Sequence, residues 1–404
     1  MTASSDALQR PRVKMKPKSN ARAIWHGFPW VYANELVTDR RTRKLAPGTL
    51  AVLEDEAQRP LGLVSVNPES KIIARMLDRD PEAVIDQAWF AARLSRALEM
   101  RERLYDAPFY RLVHAESDGL PGVVIDRFGA ACVVQPNAAW AEAHLDMLAA
   151  ALAEVTGAEV ILKNASGRTR GLEGLDDVNQ TLLGAAPAAP VPVQMNGATY
   201  MADLTGGQKT GLFFDQRENH AFAARLTAPG AKVLDVFSHV GGFGLAMLAG
   251  GAGAATCVDG SAAALELAAQ GAEAAGFKDK FTARQGDAFD VLTALGEEGE
   301  TFDVVICDPP AFAPSKQALE AGLRAYERVA KLAAPLIKPG GYLGLCSCSH
   351  AADLTRFRNA SARGIGKGGR RAALIHTGYA GPDHPQLPQL AESGYLKAVF
   401  FRLD

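Results

Sequence analysis

The chain has 404 residues, 48% hydrophobic and 22% charged, with a net charge of −2; this is ordinary globular composition, and the length suggests two or three domains. It contains no run of about 18 apolar residues, which speaks against a membrane span. Five irregularly spaced cysteines speak against a secreted disulfide framework, and no apolar leader core opens the chain, so a cytoplasmic location is expected.

Residues 1–50 carry ten Lys and Arg against three acids, about +7, so either a polyanionic partner or a solvated basic tail is expected there. Residues 1–20 read as a basic, partly disordered N-terminus. Residues 21–80 read as a small β-rich domain, because "TLAVLEDEAQRPLGLVSVNPESKIIARML" alternates strand-like runs with turn chemistry at Pro60, Gly62 and Asn67-Pro68. Residues 81–195 read as an α+β domain. Its first element is an amphipathic helix over 83–105, with Arg93, Arg96, Arg101 and Arg103 between apolar positions. A hairpin follows over 111–135, then a helix near 138–154 and a strand at 159–164, and the Ala/Pro-rich 182–193 reads as a linker.

Residues 196–404 change texture. Strand-like runs at 231–238, 255–261, 281–287, 302–310 and 341–349 are separated by helical stretches, which predicts a parallel α/β sheet with helices on both faces. Runs at 372–379 and 395–403 lie too close together for a crossover helix, so they are expected to pair antiparallel.

In such a sheet, ligands bind at the carboxyl ends of the strands. The first four strands of this sheet end in Asp235, Asp259, Asp287 and Asp308. The first turn holds Gly241, Gly242 and Gly244, with His239 where a dinucleotide fingerprint would place its first glycine. Each acid alone could be a helix N-cap; four in register point to a ligand, with Asp259 suited to ribose hydroxyls and Asp287 to an adenine amino group. Carboxylates also suit a sulfonium better than a pyrophosphate.

"CDPPAFAPSK" (307–316) is stiffened by two prolines that hold Asp308 out of helical geometry. It suits clamping a planar base, with Asp308 reading an edge and Phe312 stacking; a structural turn is the alternative. The next strand carries "LCSCSH". Strand periodicity turns Cys346 and Cys348 to one side, about 6.5–7 Å apart. That is at the edge of disulfide reach, and a metal site would need Cys307 and His350 as further ligands. Two packed core cysteines remain open. A nucleophile across from Asp308 is the leading reading: a thiolate added to C6 of a pyrimidine activates C5 toward a sulfonium methyl donor.

These residues together resemble the family of ribosomal RNA methyltransferases that form 5-methylcytosine in large-subunit (23S) rRNA. "HGFPWVYANEL" (26–36) and "NPESKIIARML" (67–77) are similar to the family's N-terminal RNA-binding PUA domain, "RLVHAESDGLPGVVIDRFG" (111–129) to its middle domain, and "GGQKTGLFFDQRENH" (206–220) to the entry into its methyltransferase domain. The resemblance implies a class I, Rossmann-like seven-stranded methyltransferase domain, preceded by a small β-barrel PUA domain and the α+β domain. It implies S-adenosylmethionine as cofactor and ribosomal RNA as partner, with a homodimer left open. Asp235, Phe237, Ser238, Gly241, Phe243, Asp259, Asp287, Asp308 and Gln216 would hold the cofactor. Lys209, Arg217, Phe312 and Lys316 would meet RNA, with Gln208 and Asp215 nearby.

Related enzymes place the nucleophile in a Thr-Cys-Ser, which selects Cys348 and leaves Cys346 supporting. Ala311 stands where other cytosine-C5 enzymes carry a second cysteine, and Cys307 reads as core. Two features depart from the pattern: Gly271 in the helix after the second strand of the sheet, and the glycine-rich basic stretch 355–371, read as an RNA contact or a flexible loop. Methylation of a guanine nitrogen through Asp-Pro-Pro-Phe, and a non-catalytic role in ribosome assembly, are the alternative functions.

Overall fold

The computed structural model describes residues 10–206 and 210–404. Chain contacts divide it into two units: residues 1–188, 204–211 and 382–393, and residues 189–203, 212–381 and 394–404.

The first unit holds two five-stranded sheets. One is built from β1 (Arg12–Lys14), β2 (Trp30–Tyr32), β3 (Thr49–Glu54), β4 (Pro60–Val66) and β5 (Ile72–Asp78), in the order β1-β3-β4-β5-β2. Just beyond the two edge strands, Met15 bridges Leu36, with Lys16 N donating to Glu35 O, so the edges meet and the sheet closes into a small barrel. The short helix α1 (Ala21–Trp25) starts where the Asn20 side chain accepts from Ala23 N. Within the basic N-terminus, expected to be partly disordered, β1 pairs in parallel with β3 and Arg12 ion-pairs with Glu54. The expectation for residues 1–9 lies outside the described residues.

The second sheet has the order β10-β9-β8-β7-β6, from β6 (Phe109–His114), β7 (Val123–Phe128), β8 (Ala131–Pro136), β9 (Val160–Lys163) and β10 (Gln180–Leu183). Its helices are α2 (Gln87–Leu104), α3 (Ala139–Ala143), α4 (Leu145–Thr156) and α5 (Arg168–Leu172). The expected hairpin is three strands, because Gly119 and Gly122 adopt positive φ between β6 and β7 and Gly129 does so between β7 and β8. Arg101, placed with the polar face of α2 by periodicity, is fully buried: it forks onto Asp118 at 2.7 and 2.8 Å and donates to Arg111 O.

The second unit starts inside the expected linker. Strands β11 (Val191–Met195) and β12 (Ala198–Ala202) form a hairpin around Asn196-Gly197, both at positive φ as a tight two-residue turn requires. The seven-stranded sheet follows: β13 (Lys232–Val236), β14 (Ala254–Asp259), β15 (Phe281–Gln285), β16 (Phe302–Cys307), β17 (Ile337–Ser347), β18 (Ala372–Gly378) and β19 (Lys397–Leu403), in the order β15-β14-β13-β16-β17-β19-β18. The first five are parallel, and β19 runs antiparallel to both β17 and β18. Helices α6 (Arg217–Leu226), α7 (Gly242–Ala249), α8 (Ala262–Ala274), α9 (Ala288–Glu297), α10 (Leu319–Ala333) and α11 (Leu354–Lys367) complete the unit. The strand order reverses at β13, flanked by β14 and β16, which opens the crevice at their carboxyl ends. No described helix is long and apolar enough to cross a membrane.

Two sequence departures find steric reasons. A Cβ on Gly271 of α8 would stand 2.7 Å from Thr199 O, so glycine there lets α8 seat on β12. The stretch 355–371 is largely helix rather than loop: α11 is capped by Asp353, and its Gly364 lies against α10, where a Cβ would meet Glu327 O at 2.3 Å.

Candidate active site

The turn after β13 is built under backbone strain. Phe237 and His239 both sit at positive φ (62° and 49°), followed by Gly241 at 80°. Asp235, 1% exposed, accepts from Phe243 N (3.1 Å) and Gly244 N (2.8 Å) through Oδ2, tying α7 to the strand end. Gly244 must be glycine for this: a Cβ would fall 2.4 Å from Cys257 Sγ. The other oxygen, Oδ1, has no partner among the described residues, and neither does the buried Ser238 Oγ. Burial pushes the Asp235 carboxyl up to about 7, against the pull of the two backbone donors. An unpaired buried carboxylate oxygen suits a ligand that brings its own cationic donor, as the ammonium of S-adenosylmethionine does.

The other strand-end acids are partly committed. Asp259 accepts His239 N through Oδ2 and Ser261 N through Oδ1, each at 2.8 Å, so it steadies the strained turn. Asp287 is exposed and caps α9 through Phe289 N and Asp290 N. The capping role weighed for single acids is thus present at Asp287.

Asp308 stands one residue beyond β16. Cys307 pairs with Leu345, so the register places Asp308 opposite Cys346. Gln216 Nε2 donates to Asp308 Oδ2 at 2.9 Å, and Asn219 Nδ2 donates to Gln216 Oε1 at 2.6 Å. Cys346 is fully buried and shares a hydrogen bond with the Gln216 side chain; burial, reinforced by the charge of Asp308, holds its thiol far above the usual range. Cys348 is half-buried. Of the two thiols, Cys348 is therefore the reachable one. Cys307 is buried, as its core reading requires, with its thiol likewise pushed up by burial.

The serines alternating with the cysteines point into a buried hydroxyl chain. Ser347 Oγ donates to Tyr326 OH (2.9 Å), Tyr326 OH and Ser349 Oγ lie 2.7 Å apart, and Ser349 Oγ accepts Ala313 N at 2.9 Å. This chain ties the cysteine strand to α10 and to the loop that follows Asp308. Phe312 already contacts the Phe237, Phe289 and Tyr326 rings at 5.0–6.3 Å, so its π faces belong to an aromatic cluster.

Among the residues expected on the RNA path, Lys316 is exposed. Arg217, expected to line the cofactor site or the RNA path, is 6% exposed, with its guanidinium 5.7 Å from the Phe214 ring centroid, because the first turn of α6 is buried. Lys209 and Gln208 lie outside the described residues. In the basic stretch, Arg363 and Lys367 pair with Glu327, and Arg370 donates to Ala334 O and Asp404 O. Asn219, Tyr326, Ser347, Ser349 and Lys397 escaped sequence reasoning. The one available signal was a lone lysine opening the apolar run "YLKAVFFRL".

Residues 13–79 match the model of a PUA-like domain, and residues 143–402 that of an S-adenosylmethionine-dependent methyltransferase. A protein of Shewanella denitrificans named ribosomal RNA large subunit methyltransferase I is 35% identical over 97% of this chain and 99% of its own. A Deinococcus radiodurans protein named ribosomal RNA large subunit methyltransferase is 34% identical over 99% of this chain and 100% of its own. Among solved structures, a chain from Streptococcus mutans provisionally assigned as a SAM-dependent methyltransferase superposes with a TM-score of 0.81 at 19% identity, covering 97% of this chain and all of that one. A second, provisionally assigned as a methyltransferase and complexed with SAH, gives 0.80 at 20% identity over 97% and 99%. These two likenesses concern the fold.

Proposed function

This chain belongs to the family of S-adenosylmethionine-dependent large-subunit ribosomal RNA methyltransferases, and on that premise we propose that it methylates C5 of a cytosine in that RNA through a covalent Cys348 adduct. The observation that carries the reading is the pairing at the ends of β16 and β17. Cys348 is half-buried, while its neighbour Cys346 is sealed onto the Gln216 that also orients Asp308.

The chemistry follows from those groups. Cys348 Sγ, as thiolate, adds to C6 of the pyrimidine, and the displaced electron pair spreads over C5, C4 and N3. Asp308, which must take up a proton when the base binds, shares that proton with N3, which stabilises that charge and leaves C5 nucleophilic. S-adenosylmethionine, when bound, supplies a sulfonium-activated methyl group for that carbon. A base, water at its simplest, takes the C5 proton, the electron pair of that C–H bond re-forms the C5–C6 double bond, Cys348 leaves as thiolate, and N3 returns its proton to Asp308. Asp235 Oδ1 and Ser238 Oγ would take the cofactor's ammonium, Asp259 its ribose and Asp287 its adenine, beside Phe237, Gly241 and Phe243. The buried polar chain of Asn219 and Gln216 fixes Asp308 so that little reorganisation accompanies the charge. The relatives' names and the PUA-like match support ribosomal RNA as the substrate. In the barrel, Phe28, Trp30 and Tyr32 line a recess of about 170 Å³, a surface suited to bases.

The test is Cys348→Ala against Cys346→Ala. We expect Cys348→Ala to lose turnover by more than about a thousandfold and to form no adduct with 5-fluorocytosine RNA, with cofactor affinity intact. Cys346→Ala should keep turnover. Nucleoside mass spectrometry of ribosomal RNA from cells lacking the protein should show one 5-methylcytidine missing. A missing methylguanosine with 5-methylcytidine intact would overturn the reading.

A further inference from the structure

We propose that Lys397 is the fixed cation against which Cys348 works as a thiolate, a positioning residue on β19; the inference rests on the reading of Cys348 as nucleophile. Lys397 pairs in register with Ser347 and is 6% exposed. Its Nζ donates to Ser349 O at 2.7 Å and to Ala352 O at 2.8 Å, the carbonyls of the turn that follows Cys348. Among the described residues, no carboxylate comes within ion-pair distance of it.

That arrangement is costly for an ammonium. Two carbonyls can be satisfied by a neutral amide, whereas a buried charge without a counter-ion is strongly destabilising. Burial accordingly lowers the Lys397 proton affinity, and the charges that oppose this are Cys348 and then Asp353.

The surrounding groups leave Cys348 as the counter-ion. On α11, Asp353 is exposed, caps the helix at Arg356 N and pairs with Arg356 at 3.5 Å. On α10, Tyr326 is kept neutral by burial and holds Ser347 and Ser349. On β17, Cys346 is kept protonated by burial; Asp308, at the end of β16, is engaged by Gln216. His350 is exposed.

The thiol proton goes to solvent, the C–S bond forms and later breaks, and Lys397 stays an ammonium throughout. Its two bonds also fix the turn through Ser349, whose hydroxyl accepts Ala313 N from the loop after Asp308.

The experiment is iodoacetamide alkylation of Cys348 in the full-length protein, followed across pH by peptide mass spectrometry, with Lys397→Gln, Lys397→Met and Lys397→Arg. Gln can still donate to a carbonyl but carries no charge. We expect the pH midpoint of alkylation to rise by about one unit or more in the Gln and Met variants and to hold in Arg. An unchanged midpoint in Lys397→Gln, with cofactor affinity intact, would overturn the proposal and leave a purely structural lysine. If Met fails to fold, Gln and Arg still decide. The readout needs neither RNA nor cofactor, so full turnover in Cys348→Ala would sink the nucleophile reading without touching this result.

Discussion

A carboxylate sealed at a strand end holds its proton more tightly than one in water, and burial takes Asp235 up to about 7. Its folded value lies above the unfolded one, so its contribution to stability is complete below about pH 3.8 and is lost as pH rises through 7. A cationic ligand reverses that balance by favouring the carboxylate and expelling the proton. Affinity for S-adenosylmethionine should therefore tighten by roughly tenfold between pH 5.5 and 7. Calorimetry in buffers of different ionisation enthalpy reads both the affinity and the proton released. Asp235→Asn should bind weakly with no such slope, and a slope retained in that variant would assign it to another group. The place of this aspartate at a strand end was legible from the apolar run before it, but its unpaired oxygen was not. Which of four similar strand-end acids is buried, and which caps a helix as Asp287 does, depends on neighbours from other strands.

At the scale of elements, α11 carries two glycines two residues apart with opposite demands. A Cβ on Gly364 would lie 2.3 Å from the backbone oxygen of Glu327, which cannot swing aside, whereas one on Gly366 meets nothing within 4 Å. Gly364→Ala should destabilise by about 1–3 kcal/mol through separation of α10 and α11. Gly366→Ala should stabilise by up to about 1 kcal/mol, since alanine loses less backbone freedom in a helix. Paired thermal unfolding checks the sign, and a common direction for both would refute the packing account. Composition alone read this stretch as loop or RNA contact. Helix packing makes Gly364 a close-approach position and binds Arg363 and Lys367 to Glu327. The same scale explains "CSCS": strand alternation sends Cys346 toward Gln216 and Ser347 toward Tyr326, and the strand ends before Cys348, so four neighbouring residues serve a buried thiol, a reachable thiol and a hydroxyl chain.

At the scale of the molecule, the chain passes repeatedly between its two units, at 188, 203, 211, 381 and 393. A cut at 196 removes β11 from its partner β12, while α8 leans on β12 through Gly271. A fragment of residues 189–404 should therefore unfold at a higher temperature than one of residues 196–404, read by calorimetry. Equal midpoints would show that the β11–β12 ribbon adds nothing. Residues 184–190 do connect two strands, but the Ala/Pro-rich texture near 186–190 masks the hairpin that starts at Val191, whose turn, Asn196-Gly197, is a strong local signal.

By itself the sequence determined the succession of the seven strands along the chain, the helices between the first five, the antiparallel closing pair and the four strand-end acids, because period, turn residues and crossover length are local properties. The tertiary structure decided the rest. It buried Cys346 and left Cys348 within reach. It also turned Arg217 inward and brought Lys397, some fifty residues from Cys348, onto the turn that follows it. Burial and counter-charge belong to the neighbours a residue acquires on folding, and no window of sequence contains them.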